Sequence, residues 1–191
     1  MAQFPQAWLV RHGETAWSLS GQHTGRSDIP LTARGEQEAR DLNARLGNHT
    51  FALVLSSPSS RALQTCELAG FGGSVQLDDD LMEWDYGRYE GRRTAEIRAE
   101  NPGWSAFTHG SPEGEDLAEV AARAVRVISR TRSARGDVLL FAHRDILRVI
   151  SALWVSLPAL EARRLYLEPA SVSVLSYDHS LDEPIIRRLN T

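Results

Sequence analysis

Val138-Leu139-Leu140-Phe141-Ala142-His143 is an unbroken apolar run that stops at an imidazole. Such a run has no in-out alternation, so both of its faces need cover, as in a buried strand of a parallel sheet. After it, Ile146, Val149, Ile150 and Leu153 recur at helical spacing until Pro158 ends the pattern. The unit is therefore strand, histidine, helix. The same unit opens the chain, where Ala7 to Val10 stops at Arg11, His12 and Gly13. A Gly-, Ser- and Thr-rich stretch from Ser18 to Pro30 follows and is expected to be loop. Thr32 then caps a helix with Glu36 in its first turn, Leu42 and Leu46 on its apolar edge and Gly47 at its stop. Phe51 to Leu55 forms a third buried run, ended by Ser56-Ser57-Pro58, with a helix from Arg61 to Ala69 closed by Gly70. A weaker strand at Val75 and Leu77 leads through an acidic turn to Glu83. Thr94 to Glu100 and Asp116 to Arg132 are amphipathic helices around a Gly/Pro-rich loop, Asn101 to Glu115, and Ser171 to Tyr177 and Ile185 to Leu189 end the chain as strands.

Parallel neighbours need crossover connections, so this alternation predicts a three-layer α/β/α sandwich with a mostly parallel central sheet. In such sheets ligands sit outside the C-terminal ends of the strands. Those positions hold Arg11, His12, Arg61, Glu83 and His143.

Composition limits what this rim can serve. The 191 residues fit one domain over 1–191, and 42% hydrophobic residues suffice for its core without disulfides or metals. Lys and Arg number 21 against 25 Asp and Glu, a net charge of -4, which argues against bulk attraction to nucleic acid or an anionic membrane. Any anion must be held by a local basic pocket. A lone cysteine, Cys66, suits a reducing compartment, and the first ten residues lack the cationic head of a secretory leader, so a cytoplasmic location is expected. The six histidines show no metal-ligand spacing, so neither a metal nor another cofactor is expected.

Two arginines at one rim repel unless an anion lies between them, and a planar guanidinium matches phosphate with two parallel hydrogen bonds. A helix N-terminus after His143 would add backbone donors. The predicted ligand is a phosphoryl group. Arg11-His12-Gly13-Glu14-Thr15 resembles the signature of the histidine phosphatase (phosphoglycerate mutase-like) superfamily, and Ser56-Ser57-Pro58 with Arg61, Glu83 and His143 follow in that family's order. His23-Thr24-Gly25 and Glu83-Trp84-Asp85-Tyr86-Gly87 are similar to its small-molecule phosphatase branch. The resemblance implies a metal-independent phosphomonoesterase working through a phosphohistidine on a small phosphorylated metabolite such as a sugar phosphate. It implies His12 as nucleophile, Glu83 as proton donor, His143, Arg11 and Arg61 as phosphate ligands, and a covering loop in which Thr24 and Gly25 touch substrate. Two rival readings share the pocket. One is a phosphoglycerate mutase, whose longer basic insert is missing between Gly91 and Pro112; the other is a phosphoprotein phosphatase or regulatory binding protein.

The chain departs from the resemblance at two places. Ser18 stands where many relatives have Asn, and His143 is followed by Arg144 where relatives usually have Gly. A position that needs positive φ would strain an arginine by about 1–2 kcal/mol. The expectation is that Arg144 lies at the pocket rim and meets a second anionic or hydroxyl-rich part of the substrate. His109 is a lid candidate, and His49 and His179 are expected at the surface.

Overall fold

β-Branched and leucine-rich runs become strands where both faces can be covered. The computed structural model, described here for residues 4–191, has them at β1 (Ala7–Arg11), β2 (Leu53–Ser56), β3 (Val75–Leu77), β4 (Val138–Ala142), β5 (Val172–Tyr177) and β6 (Pro184–Arg188). They form one mixed sheet in the order β3-β2-β4-β1-β5-β6. β3, β2, β4 and β1 run parallel, and β5 pairs antiparallel with both β1 and β6. The helices are α1 (Ala16–Ser20), α2 (Ala33–Leu46), α3 (Ser60–Leu68), α4 (Thr94–Glu100), α5 (Ala106–His109), α6 (Leu117–Ser133) and α7 (Arg144–Trp154). None among the described residues is long and apolar enough to cross a membrane.

Alternation along β4 splits the core in two. Val138, Leu140 and Ala142 join Leu9, Leu55 and Leu175 under α6 and α7, where Val120, Val127, Ile146 and Ile150 pack. Leu139 and Phe141 join Val10, Val54 and Val174 under α2 and α3, against Leu42, Leu46 and Cys66. All five β4 side chains are buried, which is why this strand has no polar face in the sequence. Burial also pushes the Cys66 thiol up to about 12, so it stays protonated and inert.

Register decides what meets at the rim. Arg11 lies opposite Ala142 and Ser56 opposite Phe141, so the next residues, His12, His143 and Ser57, emerge side by side. The ladder continues one step beyond the strands through His12 N–H to the Ala142 carbonyl (3.0 Å) and Ser57 N–H to the Phe141 carbonyl (2.9 Å). The loop after β1 then passes close under α2. A Cβ on Gly13 would stand 2.4 Å from the Gly35 carbonyl oxygen, and one on Gly35 would stand 2.1 Å from that of Glu14. Only two glycines permit that approach, which anchors the backbone that carries His12.

The structure corrects two expected loops. Ala16–Ser20 is helical because Thr15 and Ser18 cap it reciprocally and Gly21, at φ 76°, closes it in the left-handed region. Ala106–His109 forms one turn inside the Gly/Pro-rich segment.

Candidate active site

His12 is buried, and its Nδ1 lies 2.7 Å from the Gly13 carbonyl. A carbonyl oxygen only accepts, so Nδ1 carries the proton and Nε2 keeps its lone pair. Burial, then the Arg11 and Arg61 charges, hold the ring well below the usual imidazole range, so it is neutral at neutral pH. His143 is fully buried with its ring centroid 5.2 Å from that of His12. Its Nε2 lies 2.9 Å from the Ser57 hydroxyl and 3.0 Å from that of Ser59, at the start of α3. Burial and the Arg61 charge also keep this ring neutral.

The arginines are anchored rather than free. Arg11 donates through one terminal nitrogen to the Leu167 carbonyl (2.6 Å). Arg61 gives its terminal nitrogens to the carbonyls of Ser27 (2.9 Å) and Gly25 (3.0 Å), so it does not present the two-nitrogen fork that the sequence led us to expect. What both leave over is a buried Nε–H with no partner, and His143 Nδ1 is likewise unpaired. Among the described residues five buried side-chain polar atoms lack partners, and three of them belong to these groups. Buried polar atoms normally have partners, so these three stand out, and of the groups that carry them Arg11 is the one that also lines the adjoining cavity.

Glu83 sits where the acidic turn meets α7. Its Oε1 accepts from the backbone N–H groups of Trp84 (3.0 Å) and Ile146 (3.0 Å), while Asp145 N–H reaches Oε2 at 3.0 Å and Oε1 at 3.2 Å. The donors of the α7 N-terminus, expected on phosphate, are therefore aimed at this carboxylate instead. Burial and the neighbouring Asp145 charge raise the Glu83 pKa against the pull of those hydrogen bonds and of Arg144. Oε2, with the fewest donors, is the oxygen free to hold a proton. Arg123 fixes this segment from α6: it donates to the carbonyls of Asp80 (2.8 Å) and Met82 (2.9 Å) and holds Glu115 with two nitrogens.

Arg144 opens α7 with helical backbone, and the non-glycine residues with positive φ lie elsewhere, at Glu113, Ser156, Ala170 and Asn190. The possible backbone penalty is therefore absent. Its guanidinium pairs with Asp145 (3.0 Å), which also binds Arg148 (2.7 Å) and the Tyr86 hydroxyl (2.5 Å). Arg144 stays charged, because Asp145 raises its pKa further.

A cavity of about 120 Å³ exposes Arg11, His12, Glu83, Tyr86, Thr24 and Arg144 along its wall, with Ser18 and His23 beside them. Arg61 and His143 are fully buried and do not line it. Nor does Gly25, which corrects the expected substrate contact: its N–H goes to Glu90 (2.8 Å), and a Cβ there would stand 2.2 Å from the Trp84 carbonyl oxygen. Gly25 supplies room, not recognition. Glu90 gathers the N–H groups of Gly25, Arg26, Ser27 and Tyr86 and so shapes the covering loop. Its signal in the sequence was a carboxylate in the glycine-bracketed turn Gly87 to Gly91; the signal for Arg123 was a charge on the apolar face of α6. The Ser18 hydroxyl is committed to the α1 cap. His109 ends α5, exposed and bonded to Thr108, and does not line the cavity. His49 is half-buried, not free at the surface, since it pairs with Asp137 (2.6 Å) and stacks 4.6 Å from Trp8.

His23 packs 4.5 Å from the Tyr86 ring and meets the Thr94 hydroxyl at 3.1 Å. Burial, then Arg144, lowers its pKa from 6.5 to about 4. A depressed histidine contributes stability that is complete above the unfolded value and is lost as pH falls through the window from 6.5 to about 4. His23→Gln is expected to remove about 2–3 kcal/mol of that acid-side loss, so its melting temperature should drop less than the wild type's between neutral and acid pH. Parallel melting curves would rule against a neutral buried His23.

Comparison with known proteins gives the family. The sequence model of the histidine phosphatase superfamily (branch 1) matches residues 7–191. The chain belongs to that superfamily. It is 39% identical over 178 residues to a Mycobacterium tuberculosis protein named acid phosphatase, covering 91% of this chain and 87% of that one. It is 35% identical over 186 residues to a Saccharomyces cerevisiae sedoheptulose 1,7-bisphosphatase, covering 80% of this chain and 68% of that one. A solved open reading frame product of Mycobacterium tuberculosis superposes with a TM-score of 0.90 at 36% identity, over 97% of both chains.

Proposed function

We propose that this chain, acting as one domain, is a metal-independent phosphatase that hydrolyses small phosphorylated metabolites, sugar phosphates among them, through a phosphohistidine at His12. The observation that carries the reading is the conjunction of a neutral His12 with a free Nε2 and the unpaired buried Nε–H donors of Arg11 and Arg61, with the unpaired Nδ1 of His143 beside them. In this reading Nε2 attacks phosphorus while the bond to the ester oxygen breaks. Arg11 at the cavity wall, with Arg61 and His143 buried behind it, stabilises the charge on the equatorial oxygens. Glu83 protonates the leaving oxygen, then takes a proton from the water that attacks phospho-His12, and inorganic phosphate departs with the imidazole restored. Thr24 and Arg144 stand at the rim where the rest of the ester lies.

The relatives named for acid phosphatase and sugar bisphosphatase activity support the substrate class. The test is a panel of phosphomonoesters assayed with excess chelator. Sugar phosphates should be turned over undiminished, and activity that disappears with the chelator and returns with a divalent ion would overturn the mechanism.

A further inference from the structure

Beside the catalytic cavity lies a second one of about 170 Å³, and the two have His23, Thr94 and Arg144 in common. Its other wall carries Arg98, Arg148 and Arg163 with Asp145. Four guanidiniums thus face one carboxylate in a protein whose net charge is -4. Asp145 is already held by Arg144 (3.0 Å), Arg148 (2.7 Å) and Tyr86 (2.5 Å). Arg148 is fixed further by the Ala162 carbonyl (3.0 Å) and lies 4.8 Å over the Phe107 ring. Arg98 donates Nε to the Trp104 carbonyl (2.8 Å), and neither it nor Arg163 has a carboxylate partner among the described residues. Other exposed arginines, such as Arg187 and Arg188, also lack a carboxylate among the described residues; what distinguishes Arg98 and Arg163 is that they share one concave wall with Arg144 and Arg148. Arg98 and Arg163 are exposed, so water screens their repulsion, but two guanidiniums without carboxylate partners on one concave wall offer forked donors that an anion can take up.

We propose that this second cavity, bounded by Arg98, Arg144 and Arg163, is a subsite for a second anionic group of the substrate, a phosphate or carboxylate carried on the same small molecule whose ester meets His12. The inference rests on the phosphatase reading above and narrows its substrates to doubly anionic metabolites. Arg144 joins the two sites: its side chain lines both cavities, and its pairing with Asp145 holds it at their shared edge.

The experiment measures binding, so that it decides the subsite whether or not the chain hydrolyses a given ester. Isothermal titration compares an alkyl monophosphonate with α,ω-alkylbisphosphonates and ω-carboxyalkylphosphonates of increasing chain length. At the best chain length a doubly anionic ligand should bind wild type about tenfold tighter than the monophosphonate, and the double variant Arg98→Gln/Arg163→Gln should lose most of that preference. Arg163→Gln alone, at an exposed position, should lose part of it and serves if the double variant does not fold. The order of the two doubly charged series tells which second group the subsite takes. Equal affinities for singly and doubly charged ligands in wild type, or a preference that survives the substitutions, would overturn the subsite. So would inorganic sulfate that alters turnover of nitrophenyl phosphate and is not displaced by the bisphosphonate, since that places a free effector there. Failure to hydrolyse any phosphomonoester would instead strike the phosphatase reading and leave the titration to judge the subsite.

Discussion

His12→Asn is expected to lower kcat by about 10⁴–10⁶-fold on every phosphomonoester, with the folded state intact. The asparagine amide can still donate to the Gly13 carbonyl that now receives His12 Nδ1–H, so the turn and its packing keep a partner. What disappears is the Nε2 lone pair. Neither other imidazole near the cavity is placed to replace it: His143 Nε2 is occupied by the hydroxyls of Ser57 and Ser59 and its ring does not line the cavity, and His23, which does, has its Nε2 at the Thr94 hydroxyl. Because His12 is neutral in the folded protein, its loss removes no ion pair, and the thermal midpoint should move little. Rapid mixing with radiolabelled substrate should trap an acid-labile, alkali-stable phosphoryl group on wild type and none on the variant. A variant that retains turnover within tenfold of wild type would transfer the nucleophile elsewhere.

The second large effect belongs to Glu83→Gln, which should cost about 10²–10⁴-fold on alkyl phosphates and clearly less on a nitrophenyl ester, whose leaving group needs no proton. The amide keeps one oxygen for the N–H groups of Trp84 and Ile146, but its NH₂ faces the Asp145 N–H, a donor against a donor. That local conflict is independent of substrate, so the ratio between the two esters isolates the proton. The pH profile supplies a second reading. Burial and Asp145 raise the Glu83 pKa, so the protonated acid persists above the ordinary carboxylate range and is lost as pH rises through the raised value. Wild-type kcat on alkyl phosphates should fall along that alkaline limb, and the limb should vanish in Glu83→Gln. Equal losses on both esters would remove Glu83 from proton transfer. Asp85, the alternative by proximity in sequence, is a poor replacement: it accepts from the Gly87 N–H (2.9 Å), lies 3.5 Å from Arg26, and does not line the cavity.

The arrangement around Glu83 also shows what the position of Arg144 requires. The Asp145 and Ile146 amides of the α7 N-terminus are used on the carboxylate. The position therefore needs helical backbone and not a left-handed turn, and a side chain there is free to line the two cavities.

Much of this was legible in residue order alone. Period and punctuation, as in Val138 to His143 or Phe51 to Pro58, report burial on one or both faces, which is a local property of the chain. They were enough to place the strands, to predict helices on both sides of the sheet, and to pick Arg11, His12, Arg61, Glu83 and His143 as strand-end residues. Short helices escaped this reading, because α1 depends on one reciprocal cap and a left-handed glycine rather than on an apolar stripe. Tertiary structure alone decided the rest. That β1 and β2 flank β4, so that His12, Ser57 and His143 emerge together, follows from pairing between segments far apart in the chain. Whether Arg61 offers its fork or only Nε depends on carbonyls in the 24–27 loop, and whether Glu83 holds a proton depends on amides 62 and 63 residues away. Hydrogen-bond partners, desolvation and charge coupling are properties of what surrounds a group in space, and a one-dimensional pattern does not contain them.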